Sequence, residues 1–290
     1  MLSYIIYNST NTESEIRKYF KIILISNIIP IVIGLLQIIN NHTENFVYFL
    51  GRARITSIYY NSNEYGLILV VLMFMLLFLN NNKIIYNILL VAVVVSLMHT
   101  FSRTALFSAV ISYTIIKYID KKIYKILLLV FAFVVLFQLF SNSVFFERYT
   151  NADSMDSFQW RILQWKHTIR IFKESPLFGN GIETFYIDPS YGKYKTLSSA
   201  QAYLASTHNE YIKILVEMGI IGLIFYMAFF IKLLTKIAKN IPHNNKIIVA
   251  IPIMFLISSF TRNLIGVPIL QLYYFIGLGI TLRLYNYEDK

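Results

Sequence analysis

The chain has 290 residues, no cysteine, 57% hydrophobic residues, only 14% charged residues and a formal net charge of +11. A soluble domain averages about 25% charged residues, so this much apolar surface calls for a bilayer, and the basic residues punctuate apolar runs instead of forming the single water-facing patch of a nucleic-acid binder. The missing cysteines exclude disulfide scaffolds, Cys-ligated zinc, iron–sulfur clusters and thiol catalysis.

About 20 helical residues cross the hydrocarbon core. By that measure the sequence predicts an all-α, polytopic membrane bundle of about eight spans, in chain order Phe20–Ile39, Glu64–Leu79, Ile84–Met98, Thr104–Ile119, Ile123–Phe140, Glu210–Lys232, Lys246–Phe260 and Val267–Leu284. The second and third are short, which leaves seven as the other count. The first run holds Asn27 and Pro30, lacks an Ala-x-Ala-like exit, and reads as a span, not a cleaved leader. Pro30, Pro252 and Pro268 fall within or at the start of spans, as membrane helices tolerate. Three regions follow: N-terminal spans over 1–140, an extracytoplasmic loop over 141–208, and C-terminal spans over 209–290.

Orientation comes from the short loops. One set of flanks holds Arg17, Lys18, Lys21, Lys83, Lys117, Lys121, Lys122, Lys125, Lys232, Lys236, Lys239, Lys246, Arg283 and Lys290, fourteen cations; the alternate set holds only Arg52, Arg54, Arg103 and Arg262. The richer side is expected to be cytoplasmic, with both termini inside and the long loop outside the plasma membrane. That loop is expected to open with an amphipathic helix from Asp156 to Glu174, with Phe158, Ile162, Trp165, Ile169 and Phe172 on one stripe. Pro176 and Gly179-Asn180-Gly181 end it, and Ile187 to Thr207 read as an irregular lid.

The outer short-loop cations are all arginine, whereas lysine dominates the inner side. Lysine near a membrane end snorkels to the headgroups; the rigid guanidinium fork suits bidentate contact with phosphate. Anchoring to anionic headgroups explains any one of these arginines equally well. His208 stands where the long loop meets the sixth span, and an imidazole there can take a proton from a sugar hydroxyl at neutral pH. Lys213 and Glu217 lie four apart in the same apolar helix and can pair. The histidines are too scattered for local metal-ligand spacing, and no Asp-x-Asp, His-Glu-x-x-His, Walker or dinucleotide motif occurs, so no metal or cofactor is expected.

The stretch from His208-Asn209 to Glu217-Met218-Gly219-Ile220-Ile221-Gly222 resembles the His-Asn-x-x-Leu…Glu-x-Gly-x-x-Gly signature of the O-antigen ligase and O-antigen polymerase family. Three more blocks agree in order. Arg54 with Asn61-Ser62-Asn63 is similar to the family's Arg…Asn-Pro-Asn, with Ser62 in place of proline. Ser102-Arg103-Thr104-Ala105 is similar to its Ser-Arg-[Gly/Thr]-Ala. Arg161…Trp165 with Pro176-Leu177-Phe178-Gly179-Asn180-Gly181 is similar to its Arg-x-x-x-Trp…Pro-Leu-x-Gly-x-Gly.

The resemblance implies a GT-C-like, metal-independent glycosyltransferase. Such an enzyme moves glycan from an undecaprenyl-diphosphate carrier to an acceptor at the outer face of the plasma membrane. It implies that Arg103 and Arg161 hold the diphosphate and that His208 activates or positions the acceptor hydroxyl. Arg52, Arg54, Arg262, Glu217, Trp165 and Asn209 complete the candidate substrate contacts. Family members usually carry more spans, so this chain reads as a fragment, a late start or a compact variant.

The expected activity is polymerisation of lipid-linked repeat units into O-antigen, capsule or exopolysaccharide, with ligation of finished glycan to lipid A core or protein as the alternative. A flippase and a chain-length regulator are expected partners, besides the lipid-linked oligosaccharide and the bilayer; nucleic acid is not. Rivals of another class are a transporter of lipid-linked glycan, which requires broken or charged helices near the midplane and inverted repeats, and a non-catalytic subunit.

Overall fold

The computed structural model describes residues 2–10, 12–40, 48–49, 52–59, 61–80, 83–118, 165–166, 168–182, 207–240 and 243–285. The predicted span Ile123–Phe140, Arg161, most of the predicted loop helix and most of the predicted lid lie outside these residues. The described residues are helical apart from turns and one two-residue antiparallel pairing, β1 (Tyr48–Phe49) with β2 (Arg52–Ala53). The helices are α1 (Leu2–Ser9), α2 (Glu13–Ser26), α3 (Ile28–Asn40), α4 (Ser62–Leu79), α5 (Ile84–His99), α6 (Arg103–Tyr118), α7 (Glu210–Asn240), α8 (Ala250–Ser258) and α9 (Pro268–Tyr285). A 3₁₀ segment over His243–Val249 leads into α8.

Among the described residues, three helical stretches are long and apolar enough to cross a bilayer: α2 with α3 as Glu13–Asn40, α4, and Glu210–Leu233 of α7. α5, the stretch Lys246–Ser258, and Pro268–Leu284 are shorter apolar helices. Ile22, Ile25 and Ile29 on α2 and α3, Ile84, Ile88 and Val91 on α5, and Phe225 and Phe229 on α7 are exposed. Isoleucine and phenylalanine left outward on helix after helix suit acyl chains, not water; this is a membrane protein.

The chain divides into two compact units, residues 1–147, 236–257 and 268–290 forming one and residues 148–235 and 258–267 the other. In the first, α4 is buried nearly all round, from Tyr65 to Leu79. Its start is set by Asn61, whose Oδ1 accepts the Asn63 N–H at 2.8 Å, an N-cap. Ser62 is then the first helical residue. That is a position where proline is well tolerated, so serine where the resembling motif has proline is compatible with the same helix start.

Three prolines stand at helix starts. Pro30 is the third residue of α3, Pro252 the third of α8 and Pro268 the first of α9. Lacking an N–H, proline fits the first turn, where donors are unpaired anyway. The predicted span Phe20–Ile39 lies inside the membrane-length stretch Glu13–Asn40, which turns at Asn27 between α2 and α3, and Lys246–Phe260 begins as 3₁₀ before α8 takes over.

The Asn27 junction is a polar node. Its Oδ1 accepts from the Tyr273 hydroxyl at 2.9 Å and the Tyr59 hydroxyl at 3.3 Å, and its Nδ2 donates to the Ile23 carbonyl. Tyr59 stacks on Tyr65, and burial, with Tyr273 beside it, pushes the Tyr59 phenol above its ordinary pKa. The Pro30 carbonyl accepts from Tyr65 and Ser57, and Gln37 Oε1 accepts from the Ser57 N–H. These bonds leave the Asn27, Tyr59 and Tyr273 side chains satisfied away from water.

Candidate active site

The first unit gathers two of the four sequence blocks. The Arg54 guanidinium donates from Nε to the Thr100 carbonyl at 2.8 Å and from Nη2 to Asn63 Oδ1 at 3.0 Å. It thus ties the start of α4 to the turn between α5 and α6. A methyl on Gly66 would meet Thr100, Ser102 and Ala105 at 3.0–3.1 Å, so the same turn packs closely against α4. Ser102 caps α6, its Oγ accepting the Ala105 N–H at 3.3 Å. Arg103 follows as the first helical residue, half-buried. A guanidinium at the positive end of a helix macrodipole is unfavourable by itself and adds to the local preference for an anion. Arg52 lies in β2, paired with Phe49.

The second unit gathers the rest of what is described. His208 has φ 47°, a left-handed backbone that costs a non-glycine residue about 1–2 kcal/mol. Its two neighbours hold it there. Thr207 and Asn209 are buried while His208 is half-buried. The Trp165 indole N–H donates to the Thr207 carbonyl at 2.9 Å, and Thr207 Oγ1 lies 2.9 Å from Asn263 Oδ1. Asn209 caps α7, its Oδ1 accepting the Ile212 N–H at 3.1 Å.

Glu210, almost fully buried, accepts the Ile265 N–H at 3.1 Å, and its own N–H donates to the Ser259 carbonyl at 2.8 Å. The turn carrying half-buried Arg262 is therefore pinned to residues 207–210 by Ser259, Asn263 and Ile265. Lys213 Nζ lies 4.0 Å from Glu217 Oε1, both side chains buried, as their spacing predicts.

Sequence reasoning missed the break in α7. Gly219 has φ 69° and ψ −173°, outside helical space. A continuous helix would bond the Ile220 N–H to the Val216 carbonyl and the Ile221 N–H to the Glu217 carbonyl. Instead the 176–181 turn is spliced into the gap. The Ile220 and Ile221 N–H groups donate to the carbonyls of Pro176 (2.9 Å) and Leu177 (3.3 Å), and the Val216 and Glu217 carbonyls accept from the N–H groups of Asn180 (2.9 Å) and Gly181 (2.9 Å). Two helix bonds are replaced by four with the turn.

Gly179 and Gly219 make the close approach possible. A methyl on Gly179 would strike the Glu217 carbonyl, and one on Gly219 would strike the Leu177 carbonyl. The signal in sequence was the pair of glycine motifs, which read there as a helix stop and a signature, not as two halves of one joint. Ile171 and Val216 pack together beneath it. The residues described as helical end at Phe172, two short of the predicted Glu174.

Trp165 and Asn209 are thus seen in bracing and capping contacts. Arg54, Ser102 and Arg103 come together, as do Trp165, His208, Asn209 and the Arg262 turn. Glu217 sits at the splice. Among the described residues no group of three His, Asp or Glu side chains could hold a metal ion.

A family model described as O-antigen ligase matches residues 68–227, more than half of the chain. The match takes in Ser102-Arg103, the 176–181 turn and His208 through Gly222, and begins after Arg54 and Asn61-Ser62-Asn63. No curated protein matches the chain.

Proposed function

Because the chain belongs to the O-antigen ligase family, we propose that it is a membrane glycosyltransferase that polymerises undecaprenyl-diphosphate-linked repeat units into O-antigen, capsule or exopolysaccharide. The terminal hydroxyl of one unit attacks the anomeric carbon of the chain on the carrier. The new glycosidic bond forms as the bond to the diphosphate breaks, and the diphosphate leaves with the electron pair. Arg103 and Arg161 neutralise the negative charge gathering on the leaving group. His208 takes the proton from the attacking hydroxyl. Arg52, Arg54, Arg262, Glu217, Trp165 and Asn209 shape the surroundings of the substrates. This chemistry needs neither metal nor cofactor.

The observation that carries the reading is the station of His208. A titratable side chain is kept on a strained backbone by buried neighbours on both sides. Strain of that kind persists only where the surroundings over-determine it, and it clusters at functional sites. Arg103 at a helix N-terminus supplies the preference for an anion. The excess of cations on the loops assigned to the cytoplasm supports both termini inside the plasma membrane and the 141–208 loop outside.

The broken helix does not favour a transporter. Transporters use the freed backbone groups of broken helices to bind substrate or ion. In α7 the four groups that Gly219 frees are taken by the 176–181 turn.

The matching family, described as O-antigen ligase, supports a second reading, ligation of finished glycan to lipid A core or protein. Gene deletion separates the two. Loss of a polymerase leaves single repeat units on the surface; loss of a ligase leaves none. A deletion strain with normal polymer at the surface would overturn both.

A further inference from the structure

Trp165, a candidate substrate contact in the sequence, makes a structural contact with the backbone. Its indole donates to the backbone of Thr207, one residue from His208. The chain that follows runs to the 176–181 turn, which is fastened to α7 at Val216, Glu217, Ile220 and Ile221. Asn180 adds its side chain, whose Nδ2 donates to the Ile171 carbonyl at 3.2 Å and lies 3.4 Å from the Val216 carbonyl. Between the two fastenings Ile171, Phe172 and Val216 pack as one apolar cluster. The first half of α7 therefore carries a brace held at both ends, one end at the residue before His208 and the other at the Gly219 break.

We infer that Trp165 and Asn180 are positioning residues: through the Thr207 carbonyl and the spliced turn they hold the His208 backbone in its left-handed conformation, and so hold the imidazole in register with its substrate. The inference rests on the functional reading of His208 given above. Turnover is sensitive to placement at this scale, since a displacement of about 1 Å at a reacting group can cost about a hundredfold.

The test uses the full chain in proteoliposomes, with lipid-linked repeat units as donor and acceptor. Trp165→Phe keeps the ring and removes the N–H; Asn180→Ala loosens the far fastening. Both variants are expected to insert at parental abundance and to lose roughly tenfold or more in turnover at saturating donor, with the KM for donor unchanged. In a His208→Ala background neither is expected to lower the residual rate further, because residues acting as a unit are non-additive. Hydrogen exchange at the Ile212 and Lys213 amides is expected to quicken in Trp165→Phe, since both bond to Asn209.

Parental turnover in both variants, a pure KM effect, or a further loss on the His208→Ala background would overturn the inference. Parental turnover in His208→Ala itself would instead overturn the reading of the site. The exchange measurement would still decide whether the brace exists: unchanged rates at Ile212 and Lys213 would refute it.

Discussion

Gly219→Ala is the sharpest perturbation of the joint between α7 and the 176–181 turn. At φ 69° and ψ −173° the backbone lies in space that only glycine occupies readily, and an alanine held there costs about 1–3 kcal/mol. Its methyl would also overlap the Leu177 carbonyl, so the turn must withdraw. The alternative is for the helix to close, bonding Ile220 to Val216 and Ile221 to Glu217. That route trades four hydrogen bonds for two and leaves the turn's own donors and acceptors unpaired. At about 1 kcal/mol for each bond lost, both routes cost at least about 2 kcal/mol.

Hydrogen exchange of the purified protein in detergent reads this directly. Protection of the Asn180 and Gly181 amides is expected to fall by about thirtyfold, since 1.4 kcal/mol is about a factor of ten. Gly266→Ala is the control: nothing lies within 4 Å of a methyl there, and it is expected to change stability by less than about 0.5 kcal/mol. Parental protection of Asn180 and Gly181 in Gly219→Ala would refute the splice.

Asn27→Ala removes the acceptor shared by Tyr59 and Tyr273 and is expected to cost about 2–4 kcal/mol in detergent unfolding, as two phenols lose their partner; a parental midpoint would contradict it. Gly34→Ala would place a methyl 2.5 Å from the Tyr65 hydroxyl and is expected to cost about 1–3 kcal/mol. Adding Tyr65→Phe should relieve part of that cost, so strict additivity of the pair would argue against the contact. Arg54→Lys keeps the charge but cannot serve both the Thr100 carbonyl and Asn63 as the guanidinium fork does. It is expected to lose at least about 1 kcal/mol of stability and much of the activity, and full function in the lysine variant would show that only the charge matters.

Some of this architecture is legible in the sequence. α4, α5, α6 and α9 begin and end within two residues of the apolar runs that predict them, because polar caps or turns bound each run. Asn61 and Ser102 were visible as parts of signatures, and their capping geometry explains why such residues stand there. The break at Asn27 was hidden because Ile28 through Ile39 continue the apolar composition, and only Pro30 hinted at a restart.

The splice at Gly219 was hidden for a different reason. It is made of backbone groups from segments about 40 residues apart, and side-chain periodicity carries no trace of such bonds. Trp165 shows the same limit: an aromatic on an amphipathic stripe gives no sign that its N–H serves the backbone of Thr207. The Lys213–Glu217 pair was legible because its spacing alone implies it.

In the function proposed above, the His208 imidazole takes the proton of the attacking hydroxyl during glycan polymerisation. The most direct measurement replaces the chromosomal copy with His208→Ala and compares the surface glycan ladder with that of the parent strain at matched membrane abundance of the protein. The ladder is expected to collapse to single repeat units; a full-length ladder from the alanine strain would show that His208 does not carry out this step.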